Sequence, residues 1–245
     1  MKTIDKIKQL HEQYKQLTHA SNIVIKSEKY KLTPEQKKGL KEIVEFYYKY
    51  LQKNLSIKGY SYSQISARVE LLNKYYEFLH KNQYDNLFPS QSKFRPTILE
   101  EFIYLLFKDY LTDTVQKYGN LALDIVDMGS VDAYLNVFFK AKNFENFVKQ
   151  PEININNKNQ DFAIYRKLDL LINENKFCLN IPCVAIEVKT YIDKTMLDTI
   201  IATADKLKTG NPYTKFIAVS ESYAVSEDVD PVYCIFTHRP NLCFA

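Results

Sequence analysis

The fold of this chain is decided by one stretch, Cys183-Val184-Ala185-Ile186-Glu187-Val188-Lys189-Thr190. It predicts a β-strand, because side chains in a strand alternate between two faces and here one face is wholly apolar. The other face carries Glu187 and Lys189 beside an alanine. A glutamate inside a buried strand is uncommon, since charged residues are rarely buried without a partner. The stretch therefore marks a core strand that holds two charges.

An earlier strand and a turn place a second carboxylate opposite Glu187. The run DFAIYRKLDLLI at residues 161–172 is strand-like, and Asn173-Glu174-Asn175 is a turn signal between the two runs. In a hairpin that is symmetric about Glu174, Asp161 and Glu187 are equally far from the turn and face each other. Such neighbours have Cβ atoms roughly 4.5–5.5 Å apart. A bulge near Pro182 would shift this pairing.

Two carboxylates on one strand face repel each other and are costly to bury unpaired. A divalent cation relieves this, and Mg²⁺ prefers oxygen ligands. Lys189 on the same face could orient or help deprotonate a water for phosphodiester hydrolysis. The alternative is a solvated cluster of ion pairs in which the Glu-x-Lys spacing is accidental.

Outward from the hairpin, the pattern predicts a mixed α/β fold. The run DKTMLDTIIATADKLKTG is a helix that ends at Gly210 as a C-terminal glycine. The runs KFIAVS and VYCIFT follow as strands. Residues 113–150 carry turn signals, with a short helix expected near Asn143 to Lys149. Four scattered cysteines predict reduced core residues in a cytoplasmic protein. No apolar run is long enough for a membrane span.

The first 95 residues are predicted to be helical. One helix is expected over residues 3–17, a second begins at Thr33-Pro34, a third near Ser63, and a fourth at Arg95-Pro96. Residues 1–95 hold 18 Lys and Arg against 9 Asp and Glu, a net charge of +9, whereas the whole chain has +4. Abundant lysine alone could cause this, but a basic half also suits a polyanion such as DNA. We therefore predict a helical DNA-binding region at 1–95 and a catalytic core at 96–245.

Other catalytic patterns are missing from the sequence. The chain has five glycines and neither a P-loop nor a dinucleotide-binding G-x-G-x-x-G motif. There is no G-x-S-x-G nucleophile elbow. The four histidines and four cysteines lack the spacing of zinc ligands.

The segments Gln160-Asp161-Phe162-Ala163-Ile164 and Ala185-Ile186-Glu187-Val188-Lys189-Thr190 resemble the signature of the PD-(D/E)XK nucleases, most closely Type II restriction endonucleases. The resemblance covers roughly residues 95–240, and Gln160 stands where the family often has proline. It implies a mixed sheet flanked by helices, and a sequence-specific, Mg²⁺-dependent endonuclease of double-stranded DNA that leaves 5′-phosphate and 3′-hydroxyl ends.

The resemblance also implies roles for single residues. Mg²⁺ would be bound by Asp161, Glu187 and the carbonyl of Val188, with Lys189 near the attacking water. The family often has a further glutamate on the helix before the sheet, and Glu100 fits that position. Thr97-x-x-Glu100 is equally a capping box, in which Glu100 only caps its own helix.

Three alternatives for single residues stay open. Glu101 could replace Glu100, and Asp169 could replace Asp161, although in the symmetric hairpin Asp169 would face Leu179. Lys158 could contact a DNA phosphate or be a solvated lysine.

Alternative functions and partners also follow from the resemblance. The same core could belong to a structure-selective or repair-type nuclease, or to a catalytically inactive DNA-binding relative. A homodimer would match two-fold-symmetric DNA sites. A cognate DNA methyltransferase would protect the host.

Overall fold

In the computed structural model, a helical first half is followed by a mixed β-sheet. The structure describes residues 2–29, 31–89, 92–117, 126–172, 174–225 and 243–244. The helices are α1 Thr3–Gln13, α2 Thr18–Lys29, α3 Pro34–Ser56, α4 Tyr62–Lys81, α5 Pro96–Lys117, α6 Phe144–Lys149 and α7 Lys194–Gly210. The strands are β1 Val126–Lys140, β2 Glu152–Ile172, β3 Asn175–Lys189, β4 Lys215–Ser220 and β5 Cys243–Phe244.

The chain divides into two compact units, residues 1–121 and 122–245. Helix α5 is part of the first unit because it packs against α2 and α4. The boundary predicted from the sequence, between residues 95 and 96, falls before α5. The assignment of residues 96–245 to the catalytic core stays a prediction.

The helical unit follows its capping signals. Thr33 caps α3 by accepting a hydrogen bond from the backbone of Gln36, with Pro34 in the first helical position as predicted. The expected single helix over residues 3–17 is wrong, because α1 ends at Gln13 and α2 starts at Thr18. The side chains of Leu17 and Ile23 are both fully buried, so a turn between two helices buries more apolar surface than one straight helix would.

The sheet has the strand order β1-β2-β3-β4-β5. The first three strands form antiparallel pairs, β3 and β4 are parallel, and β4 and β5 are antiparallel. The mixed α/β prediction is confirmed, although β1 was not anticipated and β2 begins nine residues before Asp161. The predicted strand VYCIFT lies outside the described residues. Cys178 and Cys183, the cysteines whose side chains the structure describes, lie in the β2–β3 hairpin and are free but exposed. The expectation that the cysteines are core residues is therefore wrong for these two.

Helix α7 covers the sheet face that carries Ala185. Its residue Leu207 is buried together with Ala185 and two residues of β1, Ala133 and Leu135. Nearer the start of α7, Leu197 and Ile200 are buried together with Ala218 of β4. Helix α7 thereby packs on the sheet, in which β3 lies between β2 and β4.

Gly210 ends α7 for a different reason than the sequence predicts. It is the last residue of the helix and its φ is not positive, so it is not a left-handed C-terminal glycine. A Cβ atom at this position would overlap the backbone carbonyl oxygen of Leu135. The glycine lets the end of α7 approach β1.

We expect Gly210→Ala to destabilise the protein by about 1–3 kcal/mol, because the methyl group overpacks against a backbone that cannot give way. Helix propensity alone predicts the opposite sign, a gain of roughly 0.5–1 kcal/mol. Urea unfolding of the variant beside the exposed control Lys208→Ala measures the difference. A stabilised Gly210→Ala variant would contradict the close approach.

No helix in the described part of the chain is both long and apolar enough to cross a membrane.

Candidate active site

The register of β2 and β3 brings Asp161 to the Glu-x-Lys end of β3. Ala163 lies opposite Ala185 and Phe162 opposite Ile186, and Asp161 and Glu187 are the next residues of the two strands beyond these pairs. The carboxylate of Asp161 accepts a hydrogen bond of 2.8 Å from the backbone N–H of Val188. Asp161 is therefore held against the end of β3, next to the Glu-x-Lys segment.

Two bulges shape this part of β2. On the β3 side, Cys183 is an extra residue between the pairs Ile164–Val184 and Tyr165–Pro182. On the β1 side, Asp161 and Phe162 together stand opposite Ser130 alone. Bulges bend a strand and redirect a side chain, and they are frequent beside active sites. The second bulge lies at the candidate metal ligand itself.

Lys189 and Glu187 form an ion pair on the same side of β3. The Lys189 Nζ atom lies 2.5 Å from Glu187 Oε1, and the two side chains are 31% and 17% exposed. Their strand continues from Ala185 and Ile186, which are buried. Both charges therefore occupy the open end of a buried strand, where solvent still reaches them.

The segment after Lys189 anchors the open end of β3. The backbone of Ile192 exchanges hydrogen bonds with Ser222 and Ala224, beyond the end of β4. Asp193 then caps α7 by accepting from the backbone of Met196 at 2.8 Å. Because β3 and β4 are parallel, their carboxyl ends meet at one edge, and Ser220 lies beside Lys189. Ser220 is buried and was not identified from the sequence. Its signal is its position: it ends the KFIAVS strand, which runs parallel to the strand that ends at Lys189.

The donor atoms at this edge fit a hard divalent cation. Asp161 and Glu187 offer carboxylate oxygens and Val188 a backbone carbonyl, which is the chemistry that Mg²⁺ prefers. Among the described residues no group of three or more His, Cys, Asp or Glu side chains gathers as an ion site.

Glu100 lies on α5, in the helical unit, and its catalytic role stays a prediction. The competing capping box is wrong, because α5 starts at Pro96 and Thr97 is already inside the helix. The Thr97 hydroxyl donates to the carbonyl of Phe94 at 2.9 Å, and its oxygen lies 2.9 Å from His19 Nδ1.

Glu101 has a structural environment in the helical unit. It is 1% exposed, and its carboxylate accepts hydrogen bonds from the backbone of Ala20 at 3.0 Å and from the hydroxyl of Tyr47 at 2.8 Å. A carboxylate beside the first turn of α2 stabilises that helix end. These contacts link α2, α3 and α5, and they disfavour Glu101 as a replacement for Glu100.

Burial raises the pKa of Glu101 from 4.5 to about 7, and its hydrogen bonds only partly offset this. Because the pKa of Glu101 is higher in the folded than in the unfolded state, the contribution of Glu101 to the free energy of unfolding is fully present below pH 4.5. It is lost as the pH rises through 7. Glutamine does not ionise, so the Glu101→Gln variant does not lose this stability. Its free energy of unfolding, relative to that of wild type, should therefore rise by about 3 kcal/mol between pH 4.5 and pH 8.

Chemical unfolding of both proteins at several pH values measures this gain, with the exposed Glu77→Gln as control. Burial lowers the pKa of His19 to about 3, so this residue makes the protein less stable as the pH falls. Wild type and Glu101→Gln share this effect, so it cancels when their free energies of unfolding are subtracted. A difference that does not vary with pH would show that Glu101 stays ionised throughout.

The other two candidate residues lie elsewhere on β2. Asp169 pairs with Cys178 and forms an exposed ion pair of 2.7 Å with Lys176, which lowers the pKa of Asp169. It is eight residues from Asp161, roughly 26 Å along the strand, so it does not share a site with Glu187. Lys158 is exposed and lies opposite Ala133 on β1. Its contact with DNA stays a prediction.

A mixed sheet with an aspartate on one strand and a Glu-x-Lys segment on the next is the arrangement of the PD-(D/E)XK nucleases. The family model described as Bpu10I restriction endonuclease matches residues 91–241. The chain belongs to the Bpu10I restriction endonuclease family, and it is a Type II site-specific deoxyribonuclease.

A solved structure shares the fold of this chain. It is described as the native BbvCI A2B2 tetramer at low resolution, with a TM-score of 0.62 and 18% sequence identity. The match covers 90% of this chain and 79% of that chain. A search among curated proteins found no match.

Proposed function

We propose that this enzyme hydrolyses phosphodiester bonds of double-stranded DNA at a specific sequence, with Mg²⁺ bound between β2 and β3. The observation that carries the proposal is the hydrogen bond of Asp161 to the backbone of Val188, which lies between the ion-paired Glu187 and Lys189 at the open end of a buried strand. Family membership makes DNA the substrate, and the oxygen donors favour Mg²⁺ over softer metals.

Each residue has a distinct part in this proposal. Asp161, Glu187 and the carbonyl of Val188 would hold Mg²⁺, which when bound supplies Lewis-acid stabilisation of the phosphoryl oxygens. The N–H of Val188 orients Asp161, and both bulges keep its carboxylate at the strand end. The Lys189 ammonium can orient the attacking water and hold or release a proton at Nζ. The expected products carry 5′-phosphate and 3′-hydroxyl ends.

The cellular setting follows from this activity. The basic residues 1–95 would contact the DNA backbone, Lys158 remains a candidate for a phosphate contact, and Glu100 remains a candidate catalytic residue. A cognate methyltransferase would protect the host sites, and the enzyme would act in the cytoplasm. Because the BbvCI structure is described as an A2B2 tetramer, we also propose that this chain works as an oligomer, with a homodimer as the simplest form.

The experiment is incubation of the purified protein with unmethylated phage and plasmid DNA, with Mg²⁺ or with excess EDTA. We expect discrete fragments with Mg²⁺ and no cleavage after its removal, because the two carboxylates alone only add negative charge beside the phosphate. Discrete fragments in EDTA would contradict the metal requirement. A Mg²⁺-dependent smear would indicate a structure-selective nuclease, and intact DNA with duplex binding would indicate an inactive relative.

A further inference from the structure

The end of the helical unit where the chain turns from α3 into α4 exposes lysines, tyrosines and serines without an intervening carboxylate. From Phe46 to Val69 the chain contains no aspartate and no glutamate, and this is the longest acid-free stretch of residues 1–95. The exposed residues of the turn are together called the α3–α4 turn surface, and they are Lys53, Lys58, Tyr60, Ser61, Tyr62 and Ser63.

The backbone of this turn is held in place by contacts with two helices. Arg68 of α4 donates to the carbonyl of Ile57 at 2.7 Å, and its guanidinium lies 2.8 Å from Asp109 of α5. The same carboxylate accepts a hydrogen bond from the backbone N–H of Gly59 at 3.0 Å. A ligand that binds to this surface therefore meets a turn that is already ordered, which keeps the entropic cost of binding low.

Two tyrosines expose their rings on the turn. Tyr62 is 81% exposed and Tyr60 is 43% exposed. The ring of Tyr60 meets that of Tyr110 on α5 edge to face, with ring centroids 5.2 Å apart, and Tyr110 is itself 46% exposed. A tyrosine presents an apolar ring and a hydroxyl together. It therefore suits a partner whose apolar and anionic groups alternate, as the deoxyribose and the phosphate of a DNA backbone do.

The charges of the turn identify its partner as a polyanion. Lys53 and Lys58 are exposed, and neither forms an ion pair with a residue that the structure describes. On α5, Asp113 lies one turn beyond Tyr110, but Lys117 follows it at the i+4 spacing that pairs opposite charges on a helix. A uniform abundance of lysine does not produce this pattern, because the start of α3 carries glutamates among its lysines.

We propose that the α3–α4 turn surface binds the sugar–phosphate backbone of duplex DNA. Lys53 and Lys58 each contact a phosphate, and Tyr62 packs on a sugar and donates a hydrogen bond to a phosphate oxygen. This rests on the proposed function, in which duplex DNA is the substrate, and it names the part of residues 1–95 that holds the duplex. Such contacts position a protein on DNA but do not read the base sequence.

The test is the salt dependence of binding to a duplex of arbitrary sequence, with EDTA present so that binding is measured without cleavage. Wild type is compared with the double variant Lys53→Gln with Lys58→Gln, whose fold should be unchanged by circular dichroism because both side chains are exposed. Each lost phosphate contact reduces the slope of log K against log salt by roughly 0.9, so we expect a slope less steep by about 1.8. At about 0.1 M salt the same loss weakens binding by roughly 60-fold.

The matched control is Lys38→Gln with Lys41→Gln. Both lysines are exposed on α3 and stand between Glu35 and Glu42, and the change in net charge is the same. This control should keep the wild-type slope. The single variant Tyr62→Ser should also keep the slope, because tyrosine carries no charge, and should weaken binding by about tenfold, the size of one hydrogen bond to a charged group.

Equal slopes for wild type and for the Lys53, Lys58 variant would overturn the proposal. An equal loss of slope in the control would overturn it as well, because net charge and not this surface would then decide binding. A wild type that binds no duplex would have the same consequence. Since binding is measured without cleavage, a slope that falls as expected would stand even if no cleavage occurred with Mg²⁺, and an unchanged slope would leave the proposed chemistry untouched.

Discussion

Replacing Lys189 with alanine should reduce DNA cleavage by at least ~10³-fold, comparable to the loss of a main electrostatic contact in a hydrolytic site. The reason is geometric. The Lys189 ammonium lies 2.5 Å from Glu187, and Asp161 is hydrogen-bonded to the backbone of Val188 between them, so Lys189 is the charge placed to position water at the proposed metal site. Asp161→Asn should cause a loss of the same order, because it removes one carboxylate that would hold the metal.

The control for this prediction comes from the same strand. Lys176 also lies on β3 and pairs with a carboxylate, Asp169, but both side chains are more than half exposed. Lys176→Ala should therefore cleave like wild type. Initial rates on a mapped substrate, with duplex affinity measured in parallel, distinguish catalysis from binding. A Lys189→Ala variant with near-normal rates would show that the ion pair is only structural.

Arg68→Met should lower the free energy of unfolding by about 3–5 kcal/mol, because it breaks a buried charged network. Arg68 is 1% exposed and donates to the carbonyls of Asn54 and Ile57 at the end of α3, each at 2.7 Å. Its guanidinium also lies 2.8 Å from Asp109 on α5. Without it, carbonyls at the end of α3 lose their donor and the Asp109 carboxylate keeps a partly buried charge.

An exposed ion pair on α4, the helix that also carries Arg68, provides the comparison. Lys74 lies 2.5 Å from Glu70, with side chains 58% and 66% exposed. Lys74→Met should change stability by less than about 0.5 kcal/mol, since exposed pairs contribute little. Urea unfolding of both variants, followed by helical circular dichroism, measures the contrast. Equal effects at the two positions would mean that the Arg68 network adds no net stability.

The β2–β3 hairpin is back in the predicted symmetric register just before Asp161 and Glu187, for a reason that the sequence did not show. At the turn the pairs are one residue out of the symmetric register, since Ile172 pairs with Asn175. The extra residue Cys183 then restores the symmetric register just before the site. The irregularity expected at Pro182 exists, and it sets the register of the pairs that lead up to Asp161 and Glu187.

Other features were beyond prediction because they depend on distant contacts. The turn between α1 and α2, the burial of Glu101 between three helices, and the approach of Gly210 to β1 all involve residues far apart in sequence. Local patterns carry no information about which distant residue fills a given space.

The alternation of residues along β2 and β3 was enough to predict both strands around the site and to set Glu187 and Lys189 on one strand face. The reason is that a period of two fixes which side chains share a face. The family signature lies in the same two segments. The capping signals likewise determined where α3 begins. Tertiary structure alone decided that Glu101 is buried between three helices and that a second bulge, opposite Ser130, lies at Asp161. These outcomes depend on burial and on strand pairing, which arise only when segments distant in sequence pack together.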